Sequence, residues 1–432
     1  MGRWGENYTS PPHQPIIPMP QSPIASRQSL VINEPSMIQR LIDTDNYAQM
    51  TARHQRSYRV VLVHPSAGVN WSGGSEIFAI ELADRLSTYF DVELLAGDRC
   101  SQFYYPAGGI DRTKAREILN NLAIASLLKR FFTHSDIAIE HLTSFLPCAF
   151  RLLTHPADLI FPCNDYGGLA MAAFVRSLIG TPMIYTEHTG LLAQGQVLAR
   201  NLRFRPDHLV VFSEAMANFV RTLRPSQPTT IIPNGVDTNR FTPQGEHLDL
   251  GLNKPLVLCV ASLNRHSHKR VELAIKAVAS LPKVSLLICG DGIDRAYFQS
   301  LGDRLLGSDR FAIKIFPSNQ MPKVYRSVDA FTLPSINEPC ALSYLEAMAS
   351  GLPIVTTDDE MRRYMVGDAG ILCDVTDIEN YAAAIAKVLS GDWQQKAVIN
   401  ASRFSWDTIA LSYRNVILQT IIQSSKIYSK NI

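Results

Sequence analysis

Long apolar runs are missing from this chain. None of its 432 residues falls in an uninterrupted hydrophobic stretch of the roughly 20 residues that a membrane-spanning helix needs, so an integral membrane protein is not expected. Excess charge is missing too. A total of 41 Lys and Arg against 39 Asp and Glu leaves a net +2, which gives no electrostatic case for a nucleic-acid partner. The seven cysteines (Cys100, Cys148, Cys163, Cys259, Cys289, Cys340 and Cys373) include no Cys-x-x-Cys pair, and no clustered ligands suggest zinc. Several lie in apolar runs such as Val257-Leu-Cys-Val260, so buried reduced thiols in a cytoplasmic protein are expected. The opening residues, Met1 to Glu6, have no apolar core to serve as a secretory signal, and Glu6 stands where myristoylation of Gly2 would favour Ser or Thr. What is present is the make-up of a packed globular protein, 46% hydrophobic and 19% charged, with length for two domains and extra segments.

Residues 1–56 are rich in Pro, Ser and Gln, as in Ser10-Pro-Pro-His-Gln-Pro15, and are expected to form an N-terminal extension whose first 35 residues are disordered or loosely packed. From Arg59-Val-Val-Leu-Val63 onward, short apolar strands alternate with helical patterns. That alternation predicts an α/β protein with parallel sheets covered by helices on both faces. Strands are expected at Val92–Leu95, Leu159–Phe161, Met183–Tyr185 and Leu209–Phe212 in a first domain, 57–243, that closes with Thr230-Ile-Ile-Pro-Asn-Gly-Val-Asp237. A second domain, 244–404, has strands expected at Leu256–Val260, Ser285–Ile288, Ile313–Phe316, Ala330–Pro334 and Pro353–Thr357.

The most informative stretch is Ser335-Ile-Asn-Glu338-Pro-Cys-Ala-Leu-Ser-Tyr-Leu-Glu346-Ala-Met-Ala-Ser-Gly351-Leu-Pro353. A helix is expected between the two flanking strands. Pro339 suits its first turn, Leu342, Leu345 and Ala349 form an apolar face, and Gly351 with Pro353 stops it. Glu338 then falls at the helix entrance and Glu346 two turns in, roughly 12 Å along the axis. That separation suits a ligand with polar groups at both ends, such as a sugar diphosphonucleoside. A second glycine-rich feature, Gly73-Gly74-Ser75-Glu76, opens a helix after the first strand, where free backbone N–H groups suit an anion or a sugar hydroxyl, although a tight turn also explains it. Cys289-Gly290-Asp-Gly292 mimics a dinucleotide fingerprint but lacks its third glycine and later acidic residue, which leaves an NAD-dependent enzyme a remote alternative.

The 338–346 segment resembles the E-x7-E signature of the retaining GT-B glycosyltransferases of family 4, whose usual form is E-P-F-G-L-x-x-L-E-A-M-A-x-G-x-P-V-V. The resemblance implies two Rossmann-like domains facing each other across a cleft, with a C-terminal helix over 405–432 crossing back to the first. It implies that Glu338 approaches the donor sugar and Glu346 holds the nucleotide ribose. Cys340 stands where an aromatic is usual and Ala341 where glycine is usual, and with Leu342 they would line the donor's phosphate side. Gly73, Gly74 and Glu76 match the family's G-G-x-E and would face the cleft, and Gly290 and Gly292 would lie near the nucleotide. A diphosphate leaving group in a metal-free site needs fixed positive charge. Arg265 and Lys269, in Ser262-Leu-Asn-Arg265-His-Ser-His-Lys269, are similar to a variant of the family's basic loop in the mannosyltransferases of dolichol-linked oligosaccharide synthesis. His188, in Tyr185-Thr-Glu-His188, matches a family histidine near the reaction centre, beside which Glu187 either meets the acceptor or caps the loop. Asn234-Gly235 resembles the junction between domains, where a turn suffices.

The function implied is metal-independent retaining transfer of a hexosyl group from a nucleotide-diphospho-sugar to a hydroxyl of a glycan, glycolipid or small molecule, with no cofactor. A catalytically weak GT-B protein that binds nucleotide or glycan is the alternative, raised by Cys340 and Ala341. Asp43-Thr-Asp45 matches the D-x-D metal signature of the other large glycosyltransferase fold, but it precedes the folded core and is read as an exposed helix end. The basic amphipathic segment Ala115 to Phe132 suggests burial on the first sheet or, as in family members with lipid-linked acceptors, peripheral contact with the inner face of a membrane.

Overall fold

Strand pairing among the described residues is parallel throughout. The chain is described by a computed structural model over residues 57–69, 73–120, 135–164 and 167–428. The N-terminal extension with Asp43-Thr-Asp45, and the amphipathic segment beyond residue 120, lie outside the described residues. In the first half, β1 (Arg59–His64), β2 (Asp91–Ala96), β3 (Tyr104–Pro106) and β4 (Leu159–Pro162) stand in the order β3-β2-β1-β4. Beyond β4, a bridge from Ile160 to Met183 leads to β5 (Ile184–Thr186), β6 (His208–Val211) and β7 (Thr229–Ile231), paired in that order.

The second half holds one six-stranded sheet, β10-β9-β8-β11-β12-β13, built from β8 (Leu256–Val260), β9 (Ser285–Cys289), β10 (Phe311–Lys314), β11 (Ala330–Leu333), β12 (Ile354–Thr357) and β13 (Gly370–Cys373). Two strands, β3 in the first half and β13 in the second, are additions to those expected from the sequence. β3 is three largely exposed residues with no apolar run, whereas β13 does carry the apolar run Ile371-Leu-Cys373 but is short, starts on glycine and is only partly buried. The strand expected at 313–316 starts two residues earlier, because Phe311 pairs with Leu286.

Each sheet reverses its strand order at one place, β1 beside β4 and β8 beside β11. Loops leaving the carboxyl ends of such neighbours run to opposite sides and open a crevice that binds ligands in open α/β sheets. The glycine-rich loop follows β1, the basic loop follows β8 and the Glu338 loop follows β11, so all three open onto those crevices.

The C-terminal helix Trp406–Tyr428 lies on the first half. Val236 N donates to Phe404 O at 2.8 Å and Trp406 N to Val236 O at 3.0 Å. The rings of Trp406 and Tyr413 then pack 5.8 and 5.6 Å from Phe78, and the Tyr413 hydroxyl is 3.1 Å from Thr186 Oγ1. Six of the seven cysteines are buried and all are unpaired. No described helix is long and apolar enough to cross a membrane.

Candidate active site

Glu338 is held by the basic loop. Its Oε2 accepts from Lys269 Nζ and lies 2.9 Å from His268 Nε2, and its side chain is only 10% exposed. Burial alone would raise its pKa, but the His268 and Lys269 contacts win and hold the carboxyl at about 2. The chain just before it turns at Asn337, which is left-handed at φ 55°. One guanidinium grips both sides of that turn. Arg362, 1% exposed, donates to Glu338 O at 2.7 Å and Ser335 O at 3.4 Å and also pairs with Asp359.

The helix starts later than the sequence suggests, at Leu342–Ala349 with Ala341 extended ahead of it. Pro339 is therefore not in its first turn, and Glu338 sits in the preceding loop instead of at the helix entrance, so the 12 Å estimate does not apply. The cause is tertiary. Asn234 Nδ2 donates to Cys340 O at 2.7 Å, and Pro339 packs on Gly190, where an added Cβ would lie 2.9 Å from its ring. These contacts tie 339–340 to the first half of the molecule and leave no helical turn there. Cys340 points the same way. Its buried thiol meets Asn234 N at 3.4 Å, and burial pushes its pKa up to about 12, so its side chain belongs to the interdomain junction and not to a ligand wall. Asn234-Gly235 is likewise packing, with Gly235 against Trp406.

No side chain caps this helix at Ala341. Gly74 lies against the Leu342 side chain at the start of this helix, where an added Cβ would be 4.0 Å from Leu342 Cδ1. Glu346, on the next turn, accepts from the buried Tyr325 hydroxyl at 2.8 Å. Burial raises its pKa while Tyr325 lowers it, and burial prevails.

Opposite this helix, Gly73 caps the helix Gly74–Leu86, and Glu76 folds back so closely that a Cβ at 73 would be 2.5 Å from its Oε2. Glu76, Arg112, His141 and His188 help line a cavity of about 220 Å³ at the ends of β1, β4 and β5. His188 stacks edge-on against Phe78 and Phe212 at 4.7 and 5.4 Å, and its Nε2 is buried without a partner. Glu187 does not reach the cavity. It is fully buried and caps the loop, accepting from Thr189 N and Asn201 Nδ2, both at 2.8 Å.

Burial pushes His188 down to about 3, so the folded ring is neutral. Unfolded chain takes a proton near pH 6.5 that folded chain refuses until about 3, so the stabilisation is complete above about 6.5 and is lost as pH falls toward 3, at roughly 1.4 kcal/mol per pH unit. The urea midpoint should therefore drop from pH 7.5 to pH 5, and His188→Gln should make that slope shallower, with the buried His141 and His208 supplying the rest. An unchanged slope would contradict a buried neutral His188.

Three expected ligands stand elsewhere. Arg265 is exposed, with its guanidinium 3.8 Å over the Tyr297 ring and its N–H on Asp294, so it lies at the rim while Lys269 reaches Glu338. Gly290 and Gly292 press on their own domain, where a Cβ would come within 1.9 Å of Ala261 O and 2.2 Å of Leu263 O. Tight passage of two backbones explains both glycines without any ligand. His268, Tyr325, Arg362 and Arg112 went unrecognised in the sequence. His268 is the only one with a nearby signal, as the neighbour of Lys269.

Residues 244–404 match the family described as Glycosyl transferases group 1, and residues 72–240 match Glycosyltransferase Family 4. A D-inositol 3-phosphate glycosyltransferase of Segniliparus rotundus is 27% identical over 277 residues, covering 55% of this chain and 60% of that protein. The matched region thus spans less than two thirds of that relative's length. Among solved structures, a sucrose-phosphate synthase from Thermosynechococcus elongatus superposes with a TM-score of 0.66 at 19% identity, over 85% of this chain and 100% of its own. Anabaena Alr3699/HepE in complex with UDP and glucose gives 0.58 at 17% identity, over 84% and 100%. With both halves matched and the two sheets meeting across the 234–340 contact, this chain belongs to the family 4 glycosyltransferases of the GT-B fold.

Proposed function

We propose that the chain transfers a hexosyl group from a nucleotide-diphospho-sugar to an acceptor hydroxyl, with retention at the anomeric carbon and without a metal ion or cofactor. The observation that carries this reading is the grouping of Glu338, Lys269 and His268 in the crevice beside the uncapped helix Leu342–Ala349. A departing diphosphate gathers negative charge, and a fixed ammonium with free helix N–H groups can offset it. Lys269 has three donors, so its contact with Glu338 leaves others for phosphate. Glu346, oriented by Tyr325, takes the ribose hydroxyls, and the acceptor enters the first-domain cavity beside neutral His188. Retention rests on the family, with the donor phosphate taking the acceptor's proton. Because the Cys340 thiol turns to Asn234, that departure from the family pattern is a packing feature and does not favour a binding-only role.

A thermal-shift panel with UDP, GDP, ADP and their sugars tests the donor site. One nucleotide class should raise the melting temperature by roughly 5 °C at saturation, with or without EDTA. No shift with any nucleotide removes the donor site, turnover abolished by EDTA removes metal independence, and a product of inverted anomeric configuration removes retention.

A peripheral membrane contact is part of the same proposal. Leu142, Leu146 and Phe150 form an exposed stripe at four-residue spacing on the helix Ser135–Thr154, extended by Phe174 and Leu178 on the next helix. Lys129 and Arg130 precede this stripe in sequence, a pairing of basic and apolar residues suited to anionic lipid. The full chain should sediment with phosphatidylglycerol vesicles, and joint Leu146→Asp and Phe150→Asp substitution should abolish that. If the unaltered chain stays in the supernatant, the membrane contact is wrong.

A further inference from the structure

The cavity of the first domain is lined for one charge state of acceptor. Its one cation among the described residues is Arg112, and that guanidinium is already occupied. Arg112 donates to Ser66 Oγ at 2.7 Å and, through both Nε and NH2, to Glu140 Oε2 at 3.2 Å, while Glu76 Oε1 lies 3.7 Å away. All three charged side chains are at most 12% exposed. Two carboxylates share one guanidinium, and since burial raises the pKa of Glu140, the surplus negative charge rests on Glu76. Of the three lining histidines, burial drives His141 and His188 down to about 3 and keeps both rings neutral, while His64 is engaged through Nε2 with Ser75 Oγ at 3.1 Å.

We infer that this cavity takes a neutral polyhydroxyl ring, a sugar or cyclitol bearing free hydroxyls, and rejects the same ring carrying a phosphomonoester at that position. Hydroxyls donate to carboxylate and ring-nitrogen acceptors, whereas a phosphate dianion only accepts and would face Glu76, with Glu140 behind Arg112 and no free Lys or Arg among the described lining residues. Selection here works by repulsion: the carboxylates cost the wrong substrate more than they help the right one. The inference rests on the proposed reading of this cavity as the acceptor site. It also separates this chain from the relative named as a D-inositol 3-phosphate glycosyltransferase.

Saturation-transfer NMR on the full chain tests it, with the protein saturated by whichever nucleotide stabilises it and offered myo-inositol, glucose, myo-inositol 3-phosphate and glucose 6-phosphate together. The two neutral probes should bind at least about tenfold better than their phosphates, and Glu76→Gln should narrow that gap several-fold by removing one repelling charge. Stronger signals from the phosphates, or nucleotide binding with no signal from either neutral probe, overturn the inference while the donor site stands. Failure of every nucleotide to bind overturns the transferase reading itself, so the two failures are distinct.

Discussion

Glu346→Ala should weaken nucleotide binding by roughly 10²–10⁴-fold, because in the proposed donor site hydrogen bonds from two ribose hydroxyls to a carboxylate contribute about 1.5–3 kcal/mol each. Catalysis should fall with it, since a donor not held at its ribose does not present its anomeric carbon. The fold should survive. Glu346 is a carboxylate whose pKa burial raises, so its removal relieves desolvation and costs only the hydrogen bond from Tyr325. Tyr325→Phe, which frees the carboxylate to rotate, should have the same sense and a smaller effect, about tenfold. Thermal shift with the preferred nucleotide reads both variants. A Glu346→Ala protein that keeps the full nucleotide-induced shift would remove Glu346 from the donor site.

Arg362→Ala should destabilise the second domain by about 2–4 kcal/mol, since it removes a buried guanidinium and leaves the carbonyls of Ser335 and Glu338 without their donor. It should also lower kcat more than it raises the KM for donor. Asn337 holds a left-handed backbone between those carbonyls, a conformation that persists only while its surroundings enforce it. Once the clamp is gone the turn relaxes, and Glu338 leaves the grip of Lys269 and His268. Arg362→Lys should not rescue activity, because a single ammonium cannot reproduce a planar fork bonded to two carbonyls and Asp359. Urea unfolding and steady-state kinetics measure the two effects, and a stable Arg362→Ala enzyme with unchanged kcat would refute the clamp.

Much of the scaffold was readable along the chain because the buried strands announce themselves. β1, β8 and β9 are uninterrupted apolar runs, as parallel strands covered on both faces must be. β3 lies at a sheet edge, where less burial means less patterning, while β13, also at an edge, has an apolar run too short to stand out. At the site, Glu338, Glu346, Lys269 and His188 stood in recognisable strings. Gly290 and Gly292 have a packing reason of their own, and a glycine required by a passing backbone has the same one-letter signature as one required by a ligand.

The α/β class, the two Rossmann-like halves, the family and the loops bearing the proposed donor-site residues are all legible in the chain, because periodicity and motif strings are local properties. Where the helix after Glu338 begins, that Cys340 faces Asn234, that the Arg265 guanidinium lies over Tyr297, and that Arg362, Tyr325 and Arg112 contact Glu338, Glu346 and Glu76 emerge from the folded arrangement alone. Asn234 and Cys340 are 106 positions apart, and Glu338 meets Lys269 across 69. Such contacts are set by which strands pair and which loops share a crevice, and no short window of residues carries that information.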